Sequence, residues 1–172
     1  LSVLDIEFHP DSPDTLIIAS GNMFQDRTGV LKVVRNGADY DTTWIDTDLD
    51  PGTEGMVTCV EVDPFSPDTM LAGISAFGAG TLWKTTNGGQ TWYDSPGSYH
   101  GVVSIMQHPA YPNQVVYTTP ENSLFRSYDW GETWSESAEW GGERESLSSI
   151  AMFPDYPGRI LISSSGNGAY IS

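Results

Sequence analysis

The sequence has little cysteine, few basic residues and no long apolar segment. Cys59 is the single cysteine among 172 residues, so the chain cannot form an internal disulfide or a cysteine cluster for zinc. We expect Cys59 to be a packed thiol. Only 7 basic side chains stand against 23 acidic ones, and the resulting formal net charge of −16 disfavours nucleic acid and anionic membranes as partners.

Two further absences concern helices. No apolar run approaches the roughly 18 residues that span a bilayer, so membrane insertion is not expected. No window carries apolar residues at three-and-four spacing without a break at one of the 18 glycines or 11 prolines. With 38% hydrophobic residues the chain can still bury a core, so the composition predicts a globular all-β domain.

The chain instead contains internal repeats. The phrase KTTNGGQTW at 84–92 returns as RSYDWGETW at 126–134, and a degenerate copy occupies 34–44. A second phrase, containing two prolines, precedes each copy and occurs a fourth time near the end. Its four occurrences are roughly 45 to 55 residues apart, a spacing typical of propeller blades. They begin at His9, Asp63, His108 and Phe153.

Each repeat contains short β-rich runs separated by turn-forming residues. In the second repeat these runs are 57–62, 69–75, 81–85 and 91–94. We predict a single propeller domain of four-stranded antiparallel blades, about 3.75 of them, divided at about 1–55, 56–101, 102–146 and 147–172. The incomplete last blade suggests a segment of a larger propeller, completed by further blades or by another copy of the chain.

The first strand of every repeat is the most apolar. Its two aligned apolar columns predict burial on both faces, near the propeller axis. A proline follows each strand and ends it, because proline cannot donate a ladder hydrogen bond. The two columns contain Val3, Val57, Val102 and Leu147, and then Ile6, Val60, Ile105 and Ile150.

The repeated phrase resembles the Asp-box, or BNR, motif Ser-x-Asp-x-Gly-x-Thr-Trp of a family of β-propellers. The third copy matches every defined position, and the second differs only by Thr85 for Ser and Asn87 for Asp. We interpret the box as a structural staple, in which an acidic or amide side chain accepts turn N–H groups and glycine supplies positive φ. The matching residues are Asn87, Gly89, Thr91, Trp92, Ser127, Asp129, Gly131, Thr133 and Trp134.

Alternating strand direction sorts the turns onto two faces. The proline phrases and the boxes share one face. The opposite face, called the loop face, carries the longest and least repetitive segments, so we expect any functional site there. These segments are 21–28, 76–80, 120–123 and 165–168 within blades, and 46–55, 95–101 and 137–146 between blades.

Two of these segments combine aromatic rings with hydrogen-bonding groups, which suits a glycan or protein ligand, although such aromatics more often serve packing. The residues concerned are Tyr99, His100, Trp140, Glu143 and Arg144. Asp46, Asp48 and Asp50 imitate the start of a calcium loop, but Val57 stands where that loop needs a bidentate Glu. We therefore expect a solvated acidic turn, no metal and no cofactor.

The resemblance also suggests enzymatic relatives. Xyloglucan-hydrolysing glycosidases share the order of phrases, and in them catalytic Asp residues lie in the loop between the second and third strands. Here Asn22 and Ser165 occupy that place, and Asp26 is the nearest carboxylate. A glycosidase needs two carboxyl groups, so hydrolysis by these residues alone is not expected.

We therefore predict a secreted or cell-surface propeller module that binds a glycan or a protein through its loop face. The alternatives are part of a xyloglucanase-type hydrolase and a structural propeller that assembles with itself. Sortilin-like receptors share the resemblance as well, so the fold alone does not decide among these functions.

Overall fold

The computed structural model describes residues 2–21, 28–45, 55–75, 80–98, 100–139, 147–156, 158–165 and 168–171. Within them every regular element is a β-strand, and the strands form four consecutive antiparallel sheets, the blades. Blade 1 contains β1 (Val3–Phe8), β2 (Thr15–Ser20), β3 (Gly29–Asn36) and β4 (Asp39–Trp44). Blade 2 contains β5 (Met56–Val62), β6 (Met70–Ser75), β7 (Leu82–Thr85) and β8 (Tyr93–Asp94).

The third and fourth blades continue the same order along the chain. Blade 3 contains β9 (Ser104–Gln107), β10 (Val115–Thr118), β11 (Ser123–Ser127) and β12 (Ser135–Glu139). Blade 4 contains β13 (Leu147–Met152), β14 (Ile160–Ser164) and β15 (Gly168–Ile171). The predicted all-β propeller with four, four, four and three strands is confirmed. No helix among the described residues is long and apolar enough to cross a membrane.

The proline phrase makes the same turn in all four blades. Its first residue donates its backbone N–H to a carbonyl six residues later, as His9 does to Thr15 at 3.0 Å and His108 to Gln114 at 2.8 Å. The proline sits inside this turn, where its missing N–H costs no ladder hydrogen bond. The turn thus fixes the spacing between the first and second strands of each blade.

The core is divided among the interfaces between neighbouring blades. Each blade presents one side chain column to the preceding blade and the alternate column to the next, as strand pleating requires. Three apolar clusters result, one between each pair of consecutive blades. Their most deeply buried members include Val30, Val60 and Ala72, then Leu71, Val102 and Tyr117, then Val116, Ile160 and Ile162.

Polar groups also join the first strands of neighbouring blades. The Asp5 carboxylate accepts the backbone N–H of Val60 at 3.0 Å, between blades 1 and 2. The Thr58 hydroxyl lies 2.6 Å from the carbonyl oxygen of Val102, between blades 2 and 3. Both groups stand at a bulge in the first strand, where the ladder register shifts. In β5 the bulge leaves Thr58 outside the ladder and so allows its cross-blade hydrogen bond, whereas Asp5 of β1 lies next to the bulge and stays paired with Ala19.

The expectation that every first strand is buried on both faces is wrong for β1 and also for β13, where Ser149 and Ala151 are exposed. Val57 and Val60 of β5 are fully buried, whereas Val3 and Ile6 of β1 are about half exposed. The physical reason is that burial comes from blade packing. Among the described residues, β1 meets another blade on one side only, through β5.

Candidate functional site

The loop face carries a shallow cleft at the outer edge of blade 2. Its volume is about 420 Å³. It lies where the last strand of the blade turns back toward the axis, within the segment 95–101 that the sequence marks as irregular. The lining residues are Thr81, Asp94, Ser95, Pro96, Gly97 and Ser98.

Most hydroxyl groups of this cleft are used within the protein. Ser98 Oγ lies 3.0 Å from Thr81 Oγ1, donates to the carbonyl of Ser95 at 2.7 Å and accepts the Leu82 N–H at 3.2 Å. These bonds make the floor of the cleft rigid, because each group is held by two or more partners. Asp94 is exposed at the rim and is the charged group available to a ligand.

His100 follows the cleft-lining residue Ser98 by two positions in the chain and is held by a row of aromatic rings. It stacks on Phe125, with ring centroids 5.8 Å apart, while its own side chain stays exposed. Phe125 stacks on Tyr117 at 4.9 Å, and Tyr117 meets Trp134 edge-on at 4.8 Å. The row crosses blade 3 from the loop face to the box, so an exposed ring on the loop face rests on a buried and rigid support.

Of the predicted ligand-binding residues, His100 alone is described. Tyr99, Trp140, Glu143 and Arg144 lie outside the described residues, as do the weak catalytic candidate Asp26 and the acidic triplet Asp46, Asp48 and Asp50. Their roles stay predictions. Within the described residues, no group of three His, Cys, Asp or Glu side chains is placed to hold a metal ion.

The box of blade 3 is a closed hydrogen-bonded turn. Ser127 Oγ accepts the N–H groups of Asp129 and Gly131 and donates to Asp129 Oδ1 at 2.7 Å. Asp129 in turn accepts the N–H of Thr133 at 2.8 Å and its hydroxyl at 2.6 Å. Although burial acts to raise it, hydrogen bonds from Thr133 and Ser127 hold the pKa of Asp129 below its ordinary value.

The box of blade 2 keeps the same network with neutral groups. Thr85 Oγ1 accepts the N–H groups of Asn87 and Gly89, and Asn87 Oδ1 accepts the N–H of Thr91 at 3.0 Å. The amide nitrogen of Asn87 donates to Thr91 Oγ1 at 2.8 Å, replacing the hydroxyl-to-carboxylate bond of blade 3. All these side chains are hydrogen-bonded within the turn, so their polar groups are poorly placed to bind or react with a substrate.

The boxes also hold the preceding blade, a role that the sequence did not indicate. Trp92 Nε1 donates to the carbonyl of Ile45 at 2.7 Å, and Trp134 Nε1 donates to Ser95 Oγ at 2.8 Å. Lys84, buried in blade 2, reaches Glu132 in the box of blade 3 at 2.6 Å. Each box is thus a clasp between blades as well as a local turn.

Several inward-facing groups of the first two blades have shifted pKa values. Burial raises the pKa of Glu61 to about 8, and the charge of Glu7 adds to this shift. Burial and the charge of Asp5 raise the pKa of Glu7 to about 7. Burial also raises the pKa of the Cys59 thiol to about 12, so Cys59 is a packed thiol and not a nucleophile. The sequence offers one signal for these shifted groups that the sequence analysis above does not use: Glu7 and Glu61 occupy the same position in two otherwise apolar first strands.

A second cleft of about 370 Å³ lies on the box face of blade 3. Two exposed rings, Tyr111 and Tyr128, flank it with Pro112 and Asn113 between them. Every ligand-facing aromatic residue was expected on the opposite face, because the proline phrase indicates only the end of a strand. This cleft provides a natural reference surface for experiments on the loop face.

No protein-family model matches the sequence, and no curated protein matches it at a significant level. Solved structures do resemble its fold. An ancestral GH74 enzyme has a TM-score of 0.73 and 19% identity, covering 99% of this chain and 22% of that enzyme. The GH74 xyloglucanase from Xanthomonas campestris has a TM-score of 0.75 and 17% identity, covering 99% of this chain and 29% of its own.

The resemblance is not confined to hydrolases. An auxiliary nutrient binding protein from Bacteroides thetaiotaomicron matches with a TM-score of 0.70 and 11% identity, covering 99% of this chain and 41% of that protein. The chain therefore spans less than half the length of each of these proteins. At these identities the likeness establishes a β-propeller fold and leaves activity to be argued from the site.

Proposed function

We propose that this chain is a secreted or cell-surface propeller module that binds a neutral glycan through its loop face. The observation that carries the proposal is His100, an exposed ring stacked on a buried aromatic row. The segment that precedes it in the chain lines a rigid cleft with the exposed carboxylate of Asp94 at its rim. Sugar rings stack on aromatic faces while their hydroxyls bind carboxylates and amides, so this combination suits a saccharide.

Two further observations support a neutral ligand. The formal net charge of −16 repels acidic polysaccharides. Structurally similar propellers include a xyloglucanase and a nutrient binding protein, both of which are named for handling nutrients or polysaccharide. Tyr99, Trp140, Glu143 and Arg144 belong to the same loop face by sequence and would extend the site. A protein ligand on this face remains the alternative within the same proposal.

Binding can be tested by isothermal titration with soluble xyloglucan and with mixed-linkage glucan. We expect His100→Ala to weaken binding by about fivefold, because a stacking contact is worth roughly 1 kcal/mol. Asp94→Asn should weaken it by a smaller factor. Tyr128→Ala on the box face is the matched aromatic control and should leave the affinity unchanged. If Tyr128→Ala lowered the affinity and His100→Ala did not, the glycan site would lie on the box face, and the proposal would be wrong.

The second candidate function is a part of a glycoside hydrolase, and the fold likeness to GH74 enzymes favours it. Hydrolysis requires two carboxyl groups across the sugar. Asp26 is the candidate within this sequence, and its partner would come from another propeller. Release of reducing sugar from xyloglucan, abolished by Asp26→Asn while binding persists, would favour the hydrolase over the binding module.

A further inference from the structure

The segment that lines the cleft of blade 2 lies against the beginning of β12 in blade 3. Ser95 Oγ accepts the indole N–H of Trp134 at 2.8 Å, one residue before β12 begins. A Cβ added to Gly97 would lie 4.0 Å from the backbone nitrogen of Trp134. Segment 94–98 and β12 therefore lie beside each other at the outer edge of blades 2 and 3. We call the surface between them the groove.

Glu136 of β12 presents a carboxylate to this groove. It is the direct cross-strand partner of Phe125, so the two side chains leave the same face of the sheet. That face packs on blade 2, because Phe125 belongs to the apolar cluster that includes Leu71 and Leu82 of that blade. Glu136 is nevertheless exposed, since the outer strand of blade 2 has two residues whereas β12 has five.

His100 and Glu136 lie on the same side of the Phe125 ring. Tyr117 stacks on this ring from β10, with 4.9 Å between centroids and 7° between planes. An aromatic ring has two faces, so the stacked His100 occupies the other one, which looks toward β12. Glu136 projects from β12 on that side, directly across from Phe125. An exposed ring and an exposed carboxylate are therefore neighbours at one place in the groove.

The Glu136 carboxylate is held in one direction by a buried hydroxyl. Ser123, 9% exposed, donates from Oγ to Glu136 Oε1 at 2.6 Å. The backbone N–H of Ser123 in turn donates to Thr119 Oγ1 at 3.2 Å, which fixes the hydroxyl on its loop. An ionised carboxylate has about four acceptor sites, of which Ser123 occupies one. The remaining sites can accept hydroxyls of a ligand, and fixing the carboxylate in advance reduces the entropy lost on binding.

We propose that Glu136 is a second carboxylate of the glycan site and that the sugar stacked on His100 donates its hydroxyls to it. This role rests on the proposed glycan binding and extends the site from the cleft of blade 2 across the groove to blade 3. Glu136 and Asp94 supply acceptors, and among the described residues of the groove only His100 is basic. Like charges therefore repel uronic acids, so the groove selects glycans with hydroxyl groups and no carboxylates.

Isothermal titration with soluble xyloglucan measures the contribution of Glu136. We expect Glu136→Gln to weaken binding by about tenfold, because hydrogen bonds to a charged acceptor are stronger than those to an amide. Asp39→Asn neutralises an exposed acid in the hairpin of blade 1 and is the matched control, for which we expect unchanged affinity. Circular dichroism confirms that each variant is folded.

The pattern of losses separates this role from the proposed function. If Glu136→Gln bound as tightly as Asp39→Asn while His100→Ala weakened binding, the role of Glu136 would be refuted and the glycan site would stand. If neither His100→Ala nor Glu136→Gln weakened binding, the proposed function would fail together with this role.

Ser123 is a positioning residue, and its role is tested through coupling. Ser123→Ala should weaken binding by about threefold in the wild-type chain, because the carboxylate loses the hydroxyl that directs it. In the Glu136→Ala background the same substitution should have no further effect on affinity. Equal losses in both backgrounds would show that Ser123 does not act through Glu136 and would overturn the arrangement.

A charged glycan tests the selection by carboxylates. Polygalacturonate carries a carboxylate on each sugar, and we expect the wild-type chain to bind it at least about tenfold more weakly than xyloglucan. Neutralising both acids of the groove, by Glu136→Gln with Asp94→Asn, should narrow this ratio by about threefold or more. Asp39→Asn should leave it unchanged. The same ratio in the double variant and in wild type would overturn the selection.

Discussion

The turn between the third and fourth strands is built in two different ways in this molecule. In blade 1 it is a tight turn around Gly37, and six residue pairs join β3 to β4. In blade 2 it is the box, and only two residue pairs join β7 to β8. The box replaces ladder hydrogen bonds by side chain bonds to Thr85 and Asn87.

The difference shows what the box adds. The Gly37 turn is open, with nothing within 4 Å of the place where a side chain would begin. The box glycines instead lie against the preceding blade, Gly89 on Ile45 and Gly131 on Leu71. The preceding blade thereby holds the short hairpin of the third and fourth strands in place. The local turn and the interface between blades therefore depend on each other.

Removing the clasp itself should have the largest effect. Trp92→Ala deletes a buried ring and the bond to the Ile45 carbonyl, so we expect the free energy of unfolding to fall by about 3–5 kcal/mol. Urea denaturation followed by circular dichroism measures it. Tyr40→Ala in the open hairpin of blade 1 is the control and should change stability by less than about 0.5 kcal/mol. If Trp92→Ala and Tyr40→Ala lowered the free energy of unfolding equally, the clasp would contribute no more to stability than an exposed side chain.

Substituting the glycines tests the comparison directly. Gly37 and Gly89 both have positive φ, 66° and 83°, so alanine costs each about 1–2 kcal/mol of backbone strain. At Gly89 the new Cβ would also lie 2.6 Å from the Ile45 carbonyl oxygen, which adds about 1–3 kcal/mol. We therefore expect Gly89→Ala to be the more destabilising in thermal unfolding. Similar losses for the two variants would contradict the contact with blade 1.

The ion pair between Lys84 of β7 and Glu132 in the box of blade 3 should matter less. Lys84 is buried, whereas the side chain of Glu132 is 55% exposed. Glu132→Gln leaves the buried ammonium with the Trp130 carbonyl at 2.8 Å, and we expect a loss of about 1–2 kcal/mol. Glu121→Gln, an exposed acid outside the clasp, removes the same charge and serves as control. A loss no greater than that of the control would leave the pair without a structural role.

The smallest expected effect concerns pH. The pKa of Asp129 is lowered in the folded chain, so its contribution is present above the unfolded value near 3.8 and is lost as pH falls through the folded value. Asp129→Asn makes the box of blade 3 resemble that of blade 2, which has no titrating group. We expect melting temperatures of the variant to decline less than those of wild type below about pH 4. Parallel acid profiles would contradict the prediction.

Sequence predicted the fold well because the repeats reveal it. The proline phrase, which includes Pro10, and the box, which includes Gly131, recur at a regular spacing. Their turns are formed by local hydrogen bonds, so a short stretch of sequence is enough to predict them. The exposure of β1 could not be predicted, since burial of Val3 and Ile6 depends on a neighbouring blade and not on the strand's own pattern. The partners of Trp92 and Lys84 were also missed, because contacts between repeats leave no periodic trace in the sequence. For the loop face only His100 can be compared, and its support by Phe125 is a tertiary feature.

The pair of inward-facing glutamates affects the proton content of the molecule. With pKa values raised to about 8 and about 7, Glu61 and Glu7 retain protons near neutrality that an unfolded chain would release. At these two positions the folded chain thus carries less negative charge at pH 7 than the unfolded chain does. Because the folded state binds more protons, these two groups make stability decrease as pH rises from about 4.5 to about 8. An alkaline shift therefore destabilises the folded chain through Glu7 and Glu61, and unfolding releases protons that acidify an unbuffered solution.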